Sequence, residues 1–320
     1  MPTRVLLFNA DGNDTELPFT AAALQKPGGR QLLWVDLEGE VPGNLADTLA
    51  ALELDASSLG RLARPPAGHP YLTHSGAYLT LGVKAAQNAR TFIPLTVVAG
   101  ENFVVTAHPQ GIGPLSTFMG EMQGDTQLGQ LDSAAFVSVL LSRVLESYFT
   151  AMNGLEDQTD HLDERLLRPD PPEDPLEELV DLRRQAGDLR RELARHRPVF
   201  MHLAGADFVV YAGDQHEAQF GRLLTQFEHT LESALHTRDM VVESFDLYMA
   251  RLGQRTNDIM RVLTIVTLTL GILAAVAGLM GMNFQADLFK TGNAGFRDVL
   301  IGSALLIVVI LVLSRRRKWL

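Results

Sequence analysis

One face of an apolar segment near the C-terminus carries the residues best suited to guide a cation. Taken in steps of three and four residues, this face is small or polar at every position except one methionine. It consists of Asn257, Met260, Thr264, Thr267, Gly271, Ala274, Gly278 and Gly281. The segment then ends at Met282 and Asn283, whose amide and backbone oxygens could meet an ion at the mouth of a pore.

The small and polar face has two interpretations. Small residues let helix backbones approach closely, so the face could be an ordinary packing surface between membrane helices. It could also line a pore that repeats around a symmetric oligomer, since a single helical hairpin encloses nothing. The continuation of the face to Asn257, below the apolar segment, favours the pore.

Two apolar segments are expected to cross a membrane. Residues 262–280 contain no charge and would form a helix of about 28 Å, close to the hydrocarbon thickness of a bilayer. Residues 299–313 are shorter, but Phe296 and Trp319 provide interfacial aromatic side chains and the tail RRRKWL can extend to the headgroups. We expect transmembrane helices at about 262–281 and 299–314, joined by an outer loop at 284–298.

The distribution of basic residues predicts the orientation in the membrane. Arg255 and Arg261 precede the first span and the basic tail follows the second, whereas the connecting loop is neutral overall. Because basic residues mark the cytoplasmic side, both termini should be cytoplasmic and the loop should face outward. The predicted location is the plasma (inner) membrane, with a multi-pass topology.

Ahead of the spans the sequence predicts a cytosolic helical region at 131–258. Helical patterns at 133–167 and 175–195 are separated by the proline-rich stretch RPDPPEDP, and residues 215–281 contain no proline. A single helix over 215–281 would be about 100 Å long, more than a bilayer requires. We therefore expect a long stalk helix that continues into the first transmembrane helix.

Residues 1–130 are predicted to form a cytosolic α/β domain. Short apolar or alternating runs such as RVLLFNA, LLWVDLEG and YLTLGVKA are bounded by turn residues, as strands are. The pair LTVVAGENFVVTAHP predicts a hairpin with residues 100–102 at its turn. The fold class is α+β: an α/β domain, then a stalk, then a membrane hairpin of residues 259–320.

Composition excludes several classes of protein. The chain has no cysteine, so it offers neither a disulfide framework nor a thiolate metal site. It carries 38 acidic residues against 27 Lys and Arg, and residues 259–320 hold only two of the acids, so the negative charge lies in the cytosolic part. Such acidity repels nucleic acid and attracts cations, although it could equally serve only to keep a cytosolic domain soluble. No spacing typical of a catalytic site is present, so the chain should not be an enzyme and should need no cofactor.

A second candidate for metal binding lies on the stalk. His229, Glu232 and His236 fall at helical spacing on one face and could bind a transition metal, although such a triplet is more often a solvated surface. A similar group on the preceding helical segment, Asp157, Asp160, His161 and Glu164, has the same two interpretations.

The motifs of the membrane segments resemble those of the CorA superfamily of divalent-cation channels. The stretch NDIMRVLT, the sequence Gly281-Met282-Asn283-Phe284 after the first span and the tail RRRKWL are similar to that family's motifs, as are WVDL and GENFVVTAHP near the N-terminus. The resemblance covers nearly the whole chain and includes both the magnesium and cobalt CorA branch and the zinc-type ZntB branch.

The resemblance implies a funnel-shaped homopentamer in which the first transmembrane helices line the pore. Gly281, Met282 and Asn283 would form the outer selectivity filter, with Asn283 binding a hydrated ion. Asn257, Thr264 and Gly271 would face the pore, and Met260 and Leu263 would form its hydrophobic constriction. The expected partners are copies of the chain itself, the lipid bilayer and the divalent cation.

The identity of the ion is left open between branches. Many magnesium-type members place acidic residues just after this motif, whereas here Asp287 is offset by Lys290. We expect Mg²⁺, with Co²⁺ and Ni²⁺ as further ions, and keep a zinc transporter as the alternative. A membrane-anchored metal sensor that does not conduct ions is a second alternative.

Overall fold

The computed structural model describes residues 3–10, 14–40, 43–121, 132–168, 175–205, 216–282 and 292–316. The chain divides into two compact units, Met1–Ser244 and Phe245–Leu320. The first unit contains a sheet and most of the helices, and the second contains the apolar C-terminal helices. The division into functional domains at 1–130, 131–258 and 259–320 stays a prediction.

A mixed sheet is the centre of the first unit. In the described residues its seven strands are β1 (Arg4–Asn9), β2 (Thr15–Glu16), β3 (Gln31–Glu38), β4 (Tyr71–Ser75), β5 (Tyr78–Ala86), β6 (Phe92–Ala99) and β7 (Phe103–His108). Their spatial order is β2-β1-β3-β7-β6-β5-β4. β3 and β7 are parallel, and every other neighbouring pair is antiparallel.

The strands predicted from apolar runs are present. The predicted hairpin is formed by β6 and β7, and at its turn the amide of Gly100 donates to the carbonyl of Phe103 at 3.0 Å. β2 and β4 were not predicted. β2 has only two residues, and β4 reads YLTHS with every residue half-buried, so neither has the apolar pattern of a core strand.

The helices of the first unit are α1 (Leu45–Thr48), α2 (Ala56–Ala63), α3 (Gly113–Glu121), α4 (Ser133–Leu167), α5 (Leu176–Ala194) and α6 (Arg197–Leu203). Alternate strand residues face opposite layers. Trp34 packs with Phe136 of α4 on one side, and its neighbour Val35 packs with Leu49 and Leu62 on the other. Both faces of the sheet are therefore covered, as the predicted α/β domain requires.

α4 is a core helix despite its apolar composition. It is one of three helices in the described residues that are long and apolar enough to cross a membrane, but 67% of its most apolar window is buried inside the protein. Its first turn is capped by Asp132, whose carboxylate accepts from the amide of Ala135 at 2.9 Å. Leu140 and Leu141 are fully buried against the sheet.

The helix α7 (Glu217–Gly281) begins in the first unit and ends in the second. Its first part runs parallel to α4: the hydroxyl of Ser142 donates to Gln226 at 2.8 Å, and farther along that of Ser244 donates to Asp163 at 3.0 Å. The sequence separations of these two pairs, 84 and 81, differ little, as parallel helices require.

The last helix is α8 (Gly292–Arg316). It starts several residues before the predicted second span, so residues 292–298, predicted as part of a loop, are helical. Gly292 adopts a left-handed conformation, φ 58°, which glycine tolerates, and residues 293–298 include no proline to interrupt the helix. Hydropathy detects the apolar part of a helix and misses its polar first turns.

Candidate functional site

The predicted pore-lining residues lie on the exposed surface of α7. All eight, from Asn257 to Gly278, are solvent-accessible in the chain, and the side chains of Met260 and Leu263 are each 54% exposed. In the 18-residue windows that qualify α7 and α8 as candidate membrane spans, 6% and 0% of the residues are buried. Apolar surface this extensive requires a lipid or protein environment.

A second face of α7 is covered within the chain. Its residues are the less exposed ones at helical spacing, and they are bulkier than those of the predicted pore face. They are Ile265, Thr269, Ile272, Leu273 and Val276. α8 has a matching stripe at Val299, Ser303, Ile307, Ile310 and Ser314. Ile265 and Ser314, each 6% exposed, are the most buried members. We infer that the two helices of this unit pack along these stripes.

The covered and exposed faces of α7 lie on opposite sides of the helix. At about 100° per residue, the centre of the covered stripe is roughly 170° from the centre of the predicted pore face. None of the eight predicted pore residues belongs to the covered stripe. The less exposed side of α7 is therefore the bulky one, and the small and polar side is exposed.

The hydroxyl of Thr264 is oriented by its own helix. It donates to the carbonyl oxygen of Met260 at 2.7 Å. Because the hydroxyl hydrogen is used in this bond, the oxygen presents only acceptor lone pairs to its surroundings. An exposed acceptor of this kind suits a cation or the water molecules around one.

The glycines of the same face are not required by contacts within the chain. A Cβ atom added at Gly271, Gly278 or Gly281 would meet no atom within 4 Å. Glycine costs stability inside a helix, about 0.5–1 kcal/mol relative to alanine. The space beside these positions is therefore not filled by any other part of the described chain.

The C-terminal end of α7 coincides with the predicted filter. The helix ends at Gly281, and the amide of Met282 donates to the carbonyl of Leu279 at 3.3 Å, which closes the last turn. Asn283 lies outside the described residues, as do Asp287 and Lys290 of the loop. The structure thus describes two of the three predicted filter residues.

Comparison with known proteins decides the family. The family model of CorA-like Mg²⁺ transporter proteins matches residues 29–316. This range includes strands β3 to β7, the long helix α7 and the last helix α8. The chain belongs to this family.

Individual relatives agree with this assignment. The chain is 26% identical to the cobalt/magnesium transport protein CorA of Thermotoga maritima over 188 residues, 57% of this chain and 51% of the relative. It thus spans about half the length of that relative. The complete structure of the CorA magnesium transporter from Methanocaldococcus jannaschii covers all of both chains, with a TM-score of 0.74 and 17% identity. The ZntB cytoplasmic domain from Vibrio parahaemolyticus has a TM-score of 0.57 and 9% identity over 79% of this chain.

These similarities bear on several predictions. The resemblance to the CorA superfamily is confirmed, and the members of that family are ion transporters and not enzymes. At such low identity the two structural neighbours support the fold only. They do not distinguish the magnesium branch from the zinc branch of this CorA-like chain.

The metal site on the stalk stays a prediction. His229, Glu232 and His236 are exposed on α7, and the described residues contain no group of three or more His, Asp or Glu side chains arranged to hold a metal ion. The same holds for the group on α4 formed by Asp157, Asp160, His161 and Glu164. Helical spacing places each set on one face, but the side chains are not gathered into such a group.

The sheet of this CorA-like protein contains a buried series of hydrogen-bonded polar side chains that was not predicted. Trp34 Nε1 donates to Thr106 Oγ1 at 2.9 Å, and Thr106 donates to Asp36 at 2.5 Å. His108 Nε2 lies 3.1 Å from the same Asp36 oxygen, and its Nδ1 lies 2.7 Å from the carbonyl of Gln110. The motifs WVDL and TAHP contain these residues, but only the parallel pairing of β3 and β7 brings the two motifs together.

A second buried cluster joins the sheet to α5. The ammonium of Lys84 lies 2.8 Å from Glu192, and Glu192 also pairs with Arg195 at 2.6 Å. The fully buried His196 accepts from the amide of Lys84 at 2.8 Å and donates to the carbonyl of Glu192 at 2.9 Å. Burial lowers the pKa of His196 to about 4, so the ring is neutral at physiological pH.

Proposed function

We propose that this chain is one subunit of a channel that passes Mg²⁺, with Co²⁺ and Ni²⁺ as further ions, through a pore lined by several copies of α7. One observation carries the proposal: the small and polar face of α7 is exposed in the chain, and the less exposed residues of the helix lie on its opposite face. A helix whose face of glycines and hydroxyls is left open in an apolar hairpin has that face ready for a water-filled pathway.

The proposed assembly is a homopentamer. A hairpin of two helices cannot surround an ion, so conduction needs a ring of copies. The resemblance to the CorA superfamily implies five, with α7 inside and α8 outside. The covered stripe supports this order, because packing α8 on the bulky face of α7 leaves the small and polar face directed away from α8.

The proposed filter is a ring formed by Gly281, Met282 and Asn283 of each copy. Mg²⁺ releases its water reluctantly, so a ring of amide and backbone oxygens wide enough for the hydrated ion avoids the cost of dehydration. Neutral oxygens also bind the ion weakly enough to release it. The end of α7 at Gly281 supports this position for the filter.

The proposed constriction lies near the cytoplasmic end, at Met260 and Leu263. Their side chains are large, apolar and exposed on the single chain, so in a ring they could close the pore by excluding water. An inside-negative membrane potential would drive entry with about 4.6 kcal/mol per divalent ion at roughly 100 mV.

The proposed topology places both termini in the cytoplasm of a cell with an inner membrane. Arg315 and Arg316 at the last turn of α8 and Arg261 before the apolar part of α7 support it, because basic residues stay on the cytoplasmic side. The segment between α7 and α8 would then face outward.

Zinc is the second candidate ion. The observation that favours it is the sparse acidity after the proposed filter, where Asp287 is offset by Lys290. In addition, the ZntB cytoplasmic domain from Vibrio parahaemolyticus shares the fold of the proposed cytosolic part of this chain. Neither feature supplies a soft ligand, since the membrane segments contain no Cys or His.

Ion flux into proteoliposomes tests the proposal. The native chain, Asn283→Ala and the matched control Asn153→Ala, which changes an exposed residue of α4, are each assayed with Mg²⁺, Co²⁺, Ni²⁺ and Zn²⁺. We expect flux with the native chain and the control, and a loss of at least about tenfold with Asn283→Ala. The relative flux of the four ions distinguishes the magnesium and cobalt branch from the zinc branch. Absence of flux for all four ions, in a preparation that is folded and oligomeric, would favour a sensor that does not conduct.

A further inference from the structure

The helical hairpin of α4 and α5 carries a basic face and an acidic face that have no ion-pair partner among the described residues. On α5, Arg183, Arg184 and Arg190 are exposed, and none of them forms an ion pair with another described residue. On α4, Asp157, Asp160 and Glu164 are likewise exposed and without a cationic partner in the described part of the chain. Three unpaired arginines on one helix are unexpected in a chain with a net charge of −11.

The two helices are antiparallel, and their contacts set the levels of these residues. Near the connection, Arg165 of α4 pairs with Glu178 of α5. At the other end, Tyr148 of α4 and Glu192 of α5 both contact Lys84 of β5. Asp160 and Arg183 are each five residues from the Arg165–Glu178 pair, so they lie at the same level, about 7 Å from it.

The charged faces point away from each other. At about 100° per residue, Asp160 lies roughly 140° around α4 from Arg165, and Arg183 lies roughly 140° around α5 from Glu178. Although Asp160 and Arg183 share a level on neighbouring helices, they form no ion pair within the chain. The hairpin therefore presents acid on one flank and base on the other.

A head-to-tail contact between identical subunits requires two different and complementary surfaces on each subunit, as these two flanks are. Such a contact generates a ring when the rotation closes, whereas a face that pairs with itself gives a two-fold dimer. In a ring whose axis runs along these helices, rotation preserves levels. Arg183 of one copy then meets Asp160 of the next, and Arg190 comes within the reach of Asp157.

We propose that the arginine face of α5 docks on the acidic face of α4 in a second copy of this chain, and that this contact closes the cytosolic ring. The inference rests on the proposed homo-oligomer and adds the residues that join its subunits. Charge complementarity of the flanks selects a copy of the chain over other acidic partners, because the partner surface is present on every subunit at the matching level.

Charge reversal tests the contact in the full chain in detergent. We compare Arg183→Glu/Arg190→Glu with the control Lys26→Glu/Arg64→Glu, which makes the same change in charge at exposed residues without ion pairs in the described chain. Oligomer mass is followed by native mass spectrometry during dilution. We expect the midpoint for dissociation to rise roughly tenfold for the first variant at low ionic strength, and little for the control. Adding Asp157→Arg/Asp160→Arg should restore assembly.

Cross-linking distinguishes a contact between copies from one within a copy. The chain has no cysteine, so Arg183→Cys and Asp160→Cys can be placed on separately tagged chains and co-expressed. A short bismaleimide should join the two tags, and the pair Lys26→Cys and Asp160→Cys should not be joined. A product that is no more abundant than this control would overturn the proposal.

The outcomes separate this contact from the channel itself. If the native chain is pentameric and conducts while charge reversal and its control behave alike, the contact is wrong and the proposed function stands. If the native chain is monomeric in every condition, both the proposed ring and this proposed contact are wrong.

Discussion

His108 and Asp36 form a buried pair across the parallel strands β7 and β3, with Nε2 of the imidazole 3.1 Å from Oδ1 of the carboxylate. Nδ1 faces the carbonyl of Gln110, which can only accept, so Nδ1 carries a hydrogen. If Asp36 is ionised, Nε2 must also carry one. The geometry thus favours an imidazolium ion paired with a carboxylate inside the sheet.

This pair predicts that the cytosolic unit loses stability as pH rises. Burial alone would lower the pKa of His108, but the hydrogen bond and charge of Asp36, with Gln110 and Glu38, raise it overall. A raised pKa in the folded state means that the contribution is complete below about pH 6.5 and is lost as pH rises through the folded value. Urea unfolding at stepped pH, followed by Trp34 fluorescence in a Trp319→Phe background, measures it.

The control for this prediction is His108→Gln, which removes the titrating group and keeps a polar side chain. Its unfolding free energy should lack the decrease above pH 6.5. The pair would not be an imidazolium carboxylate if the native chain and this variant followed the same pH dependence over that range.

His196 predicts the opposite dependence on pH. Its pKa is lowered to about 4 by burial, so the folded state resists protonation. The stability that depends on the neutral ring is complete above about pH 6.5 and is lost as pH falls toward 4, by up to about 3 kcal/mol. His196→Gln, compared with the native chain between pH 7 and 4.5, should show a shallower loss. An equal loss would assign acid unfolding to other groups.

A substitution at Gly271 tests whether the small and polar face of α7 lines the pore, since contacts within the chain do not require a glycine there. Gly271→Leu adds a side chain into space that is open within the chain, so the fold should be unaffected while flux falls at least about tenfold. Gly302→Leu is the matched control, since Gly302 is an exposed glycine of α8 with equally open surroundings. Flux in proteoliposomes is the measurement, and equal flux in both variants would remove Gly271 from the pore.

The exposure of Leu140 and Leu305 indicates that α4 belongs to the protein core and that α8 does not. Leu140 is 0% exposed and contacts the sheet cluster, so Leu140→Ala should lower the unfolding free energy of the first unit by about 2–5 kcal/mol. Leu305 is 62% exposed, so Leu305→Ala should leave that energy unchanged. Similar losses in both variants, measured by urea unfolding in detergent, would contradict this assignment of α4.

Much of the architecture follows from the sequence because it depends on local patterns. The limits of α4, the long proline-free helix ending at Gly281 and the hairpin at Gly100 are each specified by apolar periodicity and turn residues within a short stretch. β2 and β4 escaped prediction because edge strands bury little and so carry little pattern. The small and polar face of α7 was visible in the sequence for the same local reason.

What only the tertiary structure decides are relationships between distant residues. The sequence could not tell whether the small face of α7 packs on α8, and the exposure of the folded chain assigns the covered side to the bulky face. Nor could it join Asp36 to His108, 72 residues away, or place Asp160 and Arg183 on opposite flanks of one hairpin. Periodicity fixes which residues share a face of one element, whereas the pairing of faces is set by the packing of all the elements together.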